Sequence, residues 1–277
     1  MKLHVKTYQL RNMCCALQVS RSGYYRWVKI GTRVNKLDTR VQAQFELHKA
    51  RAGAVVIYQD LKMDGLVISE RTVGRSMQRQ GLRAKSIKKY RPASTGQPRD
   101  CVHDNQLNRQ FGVAKPNQVW VGDITYLRTT EGWLYLSVLI DLFGRKVVAW
   151  QMSDRIDQHL VNDTLKMAYL LRGKPRGVMI HTDQGSQYAS HSFQNLVTSY
   201  RFTQSMSRKG NCWDNAVAES FFASLKKQAI HGVPVPSKQH MRQIIFEYIE
   251  VYYHRIRKHA ANQWRTPVEF ERSYQQA

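Results

Sequence analysis

Residues 118–127 read QVWVGDITYL, and the aspartate in that run is out of place. Valine, tryptophan, isoleucine and tyrosine surround Asp123 in a strand that is apolar on both faces, as a central covered strand is. An ionised carboxylate there is costly unless something compensates it. A buried salt bridge, a hydrogen bond from a backbone N–H, or a bound cation would each do so. The strand alone does not choose among them.

The surrounding sequence supplies the layer in which that strand sits. WLYLSVLIDLF (133–143) and KVVAWQMS (146–153) follow at once, with hairpin turns expected at Glu131-Gly132 and Phe143-Gly144-Arg145. A helix is expected at about 157–172, with Leu160, Thr164, Met167 and Leu171 along one face. Then come the strand VMIHT, a helix at about 191–199, the short strand FTQSMS, and a helix carrying Glu219. Three antiparallel strands followed by alternating helices and strands predict an α/β mixed five-stranded sheet flanked by helices. A last long helix is expected at about 237–258, with Ile245, Ile249 and Tyr252 inside. A basic turn of Arg255, Arg257, Lys258 and His259 follows it.

Upstream, the pattern is helical, an all-α helix-turn-helix region. Residues 10–28 read as two short helices, with Met13 and Leu17 on an apolar face and Ser20 or Ser22 as the cap of the second. Residues 36–50 place Leu37, Val41, Phe45 and His48 on one side of a helix. A second helix–turn–helix covers 56–83: Ile57 and Leu61, a turn at Asp64-Gly65, a cap at Ser69, then Val73 and Met77 facing inward. Arg71, Arg75 and Arg79 recur every four residues and form one stripe. That stripe is either a solvated face or a contact to the major groove and its phosphates, together with Lys88 and Lys89. Pro92, Gly96, Pro98 and Pro116 punctuate a linker over 91–117. The expected units are 1–104, a helical DNA-binding region; 105–235, the catalytic core; and 236–277, a C-terminal helix and basic tail packing on that core.

The 277 residues carry a formal net charge of +23. Residues 1–100 hold 21 basic against 6 acidic residues, a net of +15, and the rest hold 22 against 14, a net of +8. Charge this high opposes compaction and fits a polyanionic partner. The four cysteines, Cys14, Cys15, Cys101 and Cys212, have the spacing of neither a disulfide framework nor a zinc site. No stretch approaches the roughly 20 apolar residues of a membrane span. The N-terminus lacks a continuous apolar export signal. The expected setting is therefore a reduced cytoplasm, away from membranes.

Two further acids join Asp123. Asp183 follows the strand GVMIHT and precedes Gln184-Gly185; it is either a turn aspartate or a ligand-bearing strand end. Glu219 reads as mid-helix, on a face with Asn215, Phe222 and Lys226 and opposite Trp213, Val217, Ser220 and Phe221; alone it is an ordinary surface glutamate. Thirty-five residues lie between Asp183 and Glu219. Together the three are a set of few, hard oxygen ligands, which suits Mg²⁺ with waters and substrate phosphates completing its shell. Two such ions about 4 Å apart stabilise the attacking and leaving oxygens of an in-line displacement.

WVGDITYL, LIDLFGRKVVAW, HTDQGSQY and SRKGNCWDNAVAESFFASLKK, in that order and spacing, resemble the DDE integrase core of insertion-sequence transposases. More narrowly, they resemble the second-frame product of the insertion-sequence three family. LQVSRSGYYRW and GLRAK are similar to that family's helical DNA-binding region. The resemblance covers about 105–270 and implies a ribonuclease H-like core. It implies that Asp123, Asp183 and Glu219 are the catalytic and metal-holding triad, with Mg²⁺ as cofactor and Mn²⁺ able to substitute. It places Lys226 on DNA beside the site, and it suggests a basic loop around Gly210, flanked by Arg208 and Lys209, as a DNA clamp. The implied activity is metal-dependent cleavage at transposon ends and strand transfer. The implied partners are double-stranded DNA, further copies of the chain on DNA, and a longer form made by frameshifting from an upstream frame. Where the family has Tyr-Asn and Leu-Gly in its tail, this chain has His254 and lacks the Leu-Gly. A nuclease that only hydrolyses and a non-catalytic DNA-binding regulator are the competing expectations.

Three further residues have local readings. Asp141 either caps the turn before Phe143-Gly144 or supports the metal site. Asp214 is expected to cap the Glu219 helix, and His181 to be a packed strand histidine or to position a water.

Overall fold

A computed structural model gives the fold and describes residues 1–30, 35–85, 103–208 and 212–276. The chain opens with α1 (Leu10–Ala16) and α2 (Arg21–Ile30). Ser20 Oγ accepts the Gly23 N–H at 2.9 Å, so Ser20 rather than Ser22 makes the cap. The apolar face differs from expectation: Leu17 is exposed and Cys14 is the buried residue. Next come α3 (Lys36–Leu47), α4 (Ala54–Met63) and α5 (Glu70–Arg79), which close over Val41, Ile57, Leu61, Val73 and Met77. These are the residues that helical spacing placed inward. Gly65 takes the left-handed φ of +82° at the turn, and Ser69 Oγ accepts the Thr72 N–H at 3.2 Å to start α5.

The second unit is a sheet with helices on both faces. Its strands are β1 (Val119–Thr129), β2 (Gly132–Asp141) and β3 (Val147–Ser153). After α6 (Gln158–Leu171) come β4 (Met179–Thr182), α7 (His191–Ser199), β5 (Thr203–Met206) and α8 (Ala216–Leu225). The order across the sheet is β3-β2-β1-β4-β5. β1, β2 and β3 are antiparallel, while β4 and β5 run parallel to β1. This is the mixed five-stranded sheet that the sequence predicts.

Strand alternation divides the core between the two faces. Val121, Leu127, Leu134, Leu136, Val138 and Ile140 point to one side and pack on Phe221, Leu225 and the C-terminal helix. Trp120, Leu139, Ala149 and Ile180 point to the other and pack on α6 and α7, joined by Val148 where the β2–β3 register is irregular. On α6, Leu160 and Thr164 are buried as expected, but Leu171 is exposed. The C-terminal helix begins as α9 (Lys238–Phe246) and widens into a π-helix over Glu247–Tyr253. Its buried residues Ile245, Ile249 and Tyr252 are those expected.

The tail does more than carry basic residues. Pro267–Gln275 forms α10, started by a capping box in which Thr266 Oγ1 accepts the Glu269 N–H and Glu269 accepts the Thr266 N–H. Glu271 of α10 reaches Lys146 at 2.7 Å and also pairs with Arg172. His254, at the position where the family pattern differs, is buried and hydrogen-bonds Glu250 at 3.2 Å.

The helical unit sits on the C-terminal helix through charged groups. Arg51 pairs with Glu247 at 2.7 Å and stacks 4.6 Å over the Tyr252 ring. Buried His48 bridges Asp60 at 2.7 Å and the Tyr252 hydroxyl at 3.3 Å, and Lys258 meets the other Asp60 oxygen at 2.7 Å.

Asp141 acts as a structural cap. Its carboxylate accepts the Asn117 N–H at 2.8 Å and the Phe143 N–H at 3.0 Å, and pairs with Arg172 at 3.2 Å. Asp141→Ala strands those buried donors, so it should destabilise folding by about 3 kcal/mol. Urea unfolding measures this, with an unchanged m-value expected.

Candidate active site

The parallel pairing of β1 and β4 creates the site. Val119 lies opposite Met179, Trp120 opposite Ile180, and Val121 opposite His181. One step further brings Gly122 beside Thr182. A Cβ on Gly122 would come within 3.2 Å of Thr182 Cγ2 and 3.0 Å of Leu139 Cδ2, so only a glycine lets the neighbours close in without displacement. The next pair in this register is Asp123 and Asp183. β4 ends at Thr182, whereas β1 continues to Thr129, so the two aspartates sit where the parallel pairing stops. Ligand sites in α/β sheets form at such strand ends.

Each aspartate has one oxygen held by nearby backbone. Asp123 Oδ1 accepts the Ile124 N–H at 2.8 Å, and Asp183 Oδ1 accepts the Gly185 N–H at 3.0 Å. Glu219 comes from α8, in its first turn and not mid-helix as expected. The expected division of faces also changes: Phe221 and Phe222 are both buried, and Glu219 is exposed. Asn215, immediately before α8, donates from Nδ2 to the Gly122 carbonyl at 3.2 Å, tying the glutamate helix to the strand just ahead of Asp123.

Asp123 feels the charges of both other acids. Burial pushes the Asp123 carboxyl up to about 8; the negative charges of Asp183 and Glu219 push the same way, while the Ile124 N–H and Lys226 oppose them. Asp183 and Glu219 keep exposed surface, and both are raised by the partial desolvation of their carboxyls by surrounding protein, Asp183 against the pull of the Gly185 N–H. Lys226, at the end of α8, is lowered by burial and drawn back up by Asp123. The spacing that grouped Glu219 with Lys226 therefore brings both within electrostatic reach of Asp123. Among the described residues, no three His, Cys, Asp or Glu side chains are drawn together tightly enough to hold one ion. The donor set nonetheless fits a hard divalent cation, because it offers carboxylate oxygens alone, with Asp123 and Asp183 each held by one oxygen only.

The expected DNA contacts fare unevenly. Arg71 and Arg75 are exposed on α5, and among the described residues neither is in an ion pair. Arg79 is instead bound to Asp38 at 2.6 Å, with Ser76 on the same carboxylate. Arg208 pairs with Asp214 at 2.9 Å. Lys88, Lys89, Lys209 and Gly210 lie outside the described residues.

Asp214 is not a helix cap. It lies in the 3-10 turn Cys212–Asn215, and α8 begins without a side-chain cap. His181 is the packed strand histidine, fully buried, with Nδ1 2.9 Å from Ser205 Oγ and Nε2 3.1 Å from Ser207 Oγ. Residues that went unnoticed in the sequence also meet here. Tyr188 is buried with its hydroxyl unpartnered among the described residues, 3.5 Å from where a Gly122 Cβ would stand. Only its place five residues after Asp183 hinted at this.

Integrase core domain models match residues 113–212 and 200–267, and an HTH-like domain model matches residues 33–90. The transposase InsF of insertion sequence IS3A from Escherichia coli strain K12 is 42% identical over 275 residues, covering 97% of this chain and 96% of that protein. The transposase of insertion sequence element IS904 from Lactococcus lactis subsp. lactis strain IL1403 is 40% identical over 242 residues, covering 85% of this chain and 93% of that protein. Among solved structures, the HTLV-2 integrase catalytic core domain in complex with magnesium covers 58% of this chain and 99% of its own. It is 19% identical, with a TM-score of 0.44.

A pH dependence follows from Asp123. In metal-free protein the folded state keeps this proton up to about pH 8, whereas the unfolded chain releases it near the ordinary aspartate value of 3.8. Between those pH values the unfolded chain binds fewer protons, so stability falls as pH rises through the window. Melting temperatures in a chelator should drop from pH 5 to pH 8, and Asp123→Asn should flatten that slope.

Proposed function

We propose, from the premise that this chain belongs to the insertion-sequence IS3 family of transposases, that Asp123, Asp183 and Glu219 carry its chemistry. The protein is a DDE-type polynucleotidyl transferase that acts in DNA transposition. What supports the assignment of the triad is the register of β1 and β4, which brings two aspartates side by side under a glutamate-bearing helix.

The chemistry needs divalent metal. In this reading the three carboxylates hold Mg²⁺, with Mn²⁺ substituting, and the bound metal supplies a polarised phosphate and a more acidic attacking hydroxyl. The chain's own residues do the rest. The backbone N–H groups of Ile124 and Gly185 fix one oxygen of each aspartate and leave the other free. Asn215 sets the distance between α8 and β1. Lys226 offers a cation beside Asp123, suited to a DNA phosphate approaching the carboxylates.

Arg71 and Arg75 on α5 are exposed cations suited to DNA outside the catalytic core. Lys88, Lys89 and Lys209 remain proposed contacts from their place in the sequence. The functional assembly is several copies of this chain on paired DNA ends, and an upstream-frame fusion supplies end recognition. Among the described residues no helix is long and apolar enough to cross a membrane. The setting that fits is the cytoplasm, at the nucleoid.

Asp183→Asn should abolish both cleavage and joining of labelled element ends while leaving DNA affinity near that of the unaltered protein. Unchanged joining would refute the triad. Appearance of cut but never joined ends with the unaltered protein would mark a hydrolytic nuclease. Metal binding has a readout independent of turnover. Because Asp123 titrates near 8, loading Mn²⁺ at pH 7 should release a proton. Calorimetry in buffers of different ionisation enthalpy measures that release, and Asp123→Asn should remove it.

A further inference from the structure

The acid with the most hydrogen bonds near the site is not one of the three. The Asp214 carboxylate accepts from Asn105 Nδ2 at 2.8 Å, Arg109 Nε at 2.9 Å, and the Arg208 backbone N–H at 3.0 Å. It also accepts from Arg208 Nε at 2.9 Å and the second Arg208 guanidinium nitrogen at 3.0 Å. No surface of Asp214 is accessible, yet it lies near the exterior. Its cover is the two guanidiniums, whose own side chains are 52% and 45% exposed. Bidentate pairing of this kind fixes direction as well as distance. The Arg208 hydrogen bonds hold the carboxyl well below the usual carboxylate range, so it stays charged throughout the working pH range.

What this cluster joins is specific. Arg208 follows β5, Asn105 and Arg109 belong to the stretch before β1, and Asp214 stands two residues ahead of α8. In that stretch the Gln106 and Leu107 N–H groups are seated on Ser205 Oγ, and Leu107 is buried in the core. Asn215, the next residue, is tied to the Gly122 carbonyl. The entry to α8 is thus pinned at two successive residues, and Glu219 follows one helical turn later. We propose that Asp214 is a positioning residue for Glu219, and that it keeps Arg109 and Arg208 as structural cations instead of DNA ligands. This rests on the reading of Glu219 as catalytic.

The experiment pairs single-turnover joining with DNA affinity measured over a range of salt. Asp214→Asn should lower turnover of the bound complex by about 100-fold, the scale of a small displacement of a catalytic group. It should at the same time free two guanidiniums, steepening the salt dependence by up to about two phosphate contacts, with tighter binding at low salt. A loss of general stability would weaken both readouts together. Arg208→Ala should lower turnover with the salt slope unchanged, and Arg208→Lys should recover part of it. These two variants decide the matter if Asp214→Asn fails to fold, as judged by circular dichroism. A salt slope reduced by about one contact in Arg208→Ala, with turnover of the bound complex intact, would overturn the proposal, because Arg208 would then be a DNA ligand. Glu219→Gln separates the two claims. If it still joins DNA, the triad is wrong; if it is inactive while Asp214→Asn turns over normally, only the positioning role is lost.

Discussion

The structure depends most on one constraint, a half-buried carboxylate, Asp123, set inside an apolar strand with the negative charge of Asp183 at the end of the neighbouring parallel strand acting on it. Asp123 is held by the Ile124 N–H, by the charge of Lys226, and by a sheet that is covered on both faces. The arrangement is costly without a cation, as the raised carboxyl of Asp123 shows. A rigid sheet accepts that cost because its two apolar layers fix the strand register, and with it the spacing of the acids. A shift of one residue in β4 against β1 would move Asp183 away from Asp123 and turn its side chain to the other face.

The same economy governs the C-terminal helix. Its apolar side closes the core behind α8, with Met241, Ile245 and Ile249 against the sheet. Tyr252 and Glu247 turn toward the helical unit, where Arg51, His48 and Lys49 meet them. One helix therefore backs the layer that carries Glu219 and also supports the region bearing Arg71 and Arg75. Contacts of this mixed kind orient one unit on the other without forming a single continuous hydrophobic core. The apolar cluster of the helical unit stays separate from those of the sheet for that reason, while the sheet itself divides the other two.

Much of this was legible in the chain because the signals are local. Apolar alternation marked the strands, and helical spacing marked Val41, Ile57, Leu61, Val73 and Met77 as core. Asp123 stood out because a charge in an apolar strand demands an explanation. What failed also has local causes. Thr266-Pro267 with Glu269 is a readable helix start, but the basic turn ahead of it drew α10 into a tail. Glu219 read as mid-helix because apolar spacing extends upstream of the true start at Ala216, through a 3-10 turn that spacing cannot distinguish from α-helix. Arg79 looked like its two neighbours in the stripe until folding brought Asp38 against it.

Local pattern was enough to mark the five strands, most of the helices and most of their inward-facing residues, and the three acids that stand out. Those properties depend on neighbours a few positions away. Tertiary structure alone decided which charges are committed and which are free. Asp214 finds Arg109 across 105 positions of chain, Arg51 finds Glu247 across 196, and Asp183 reaches Asp123 through a strand register that no local pattern encodes. Ion pairing and carboxylate repulsion act over a few ångströms of space, and only the folded backbone turns separation along the chain into that distance.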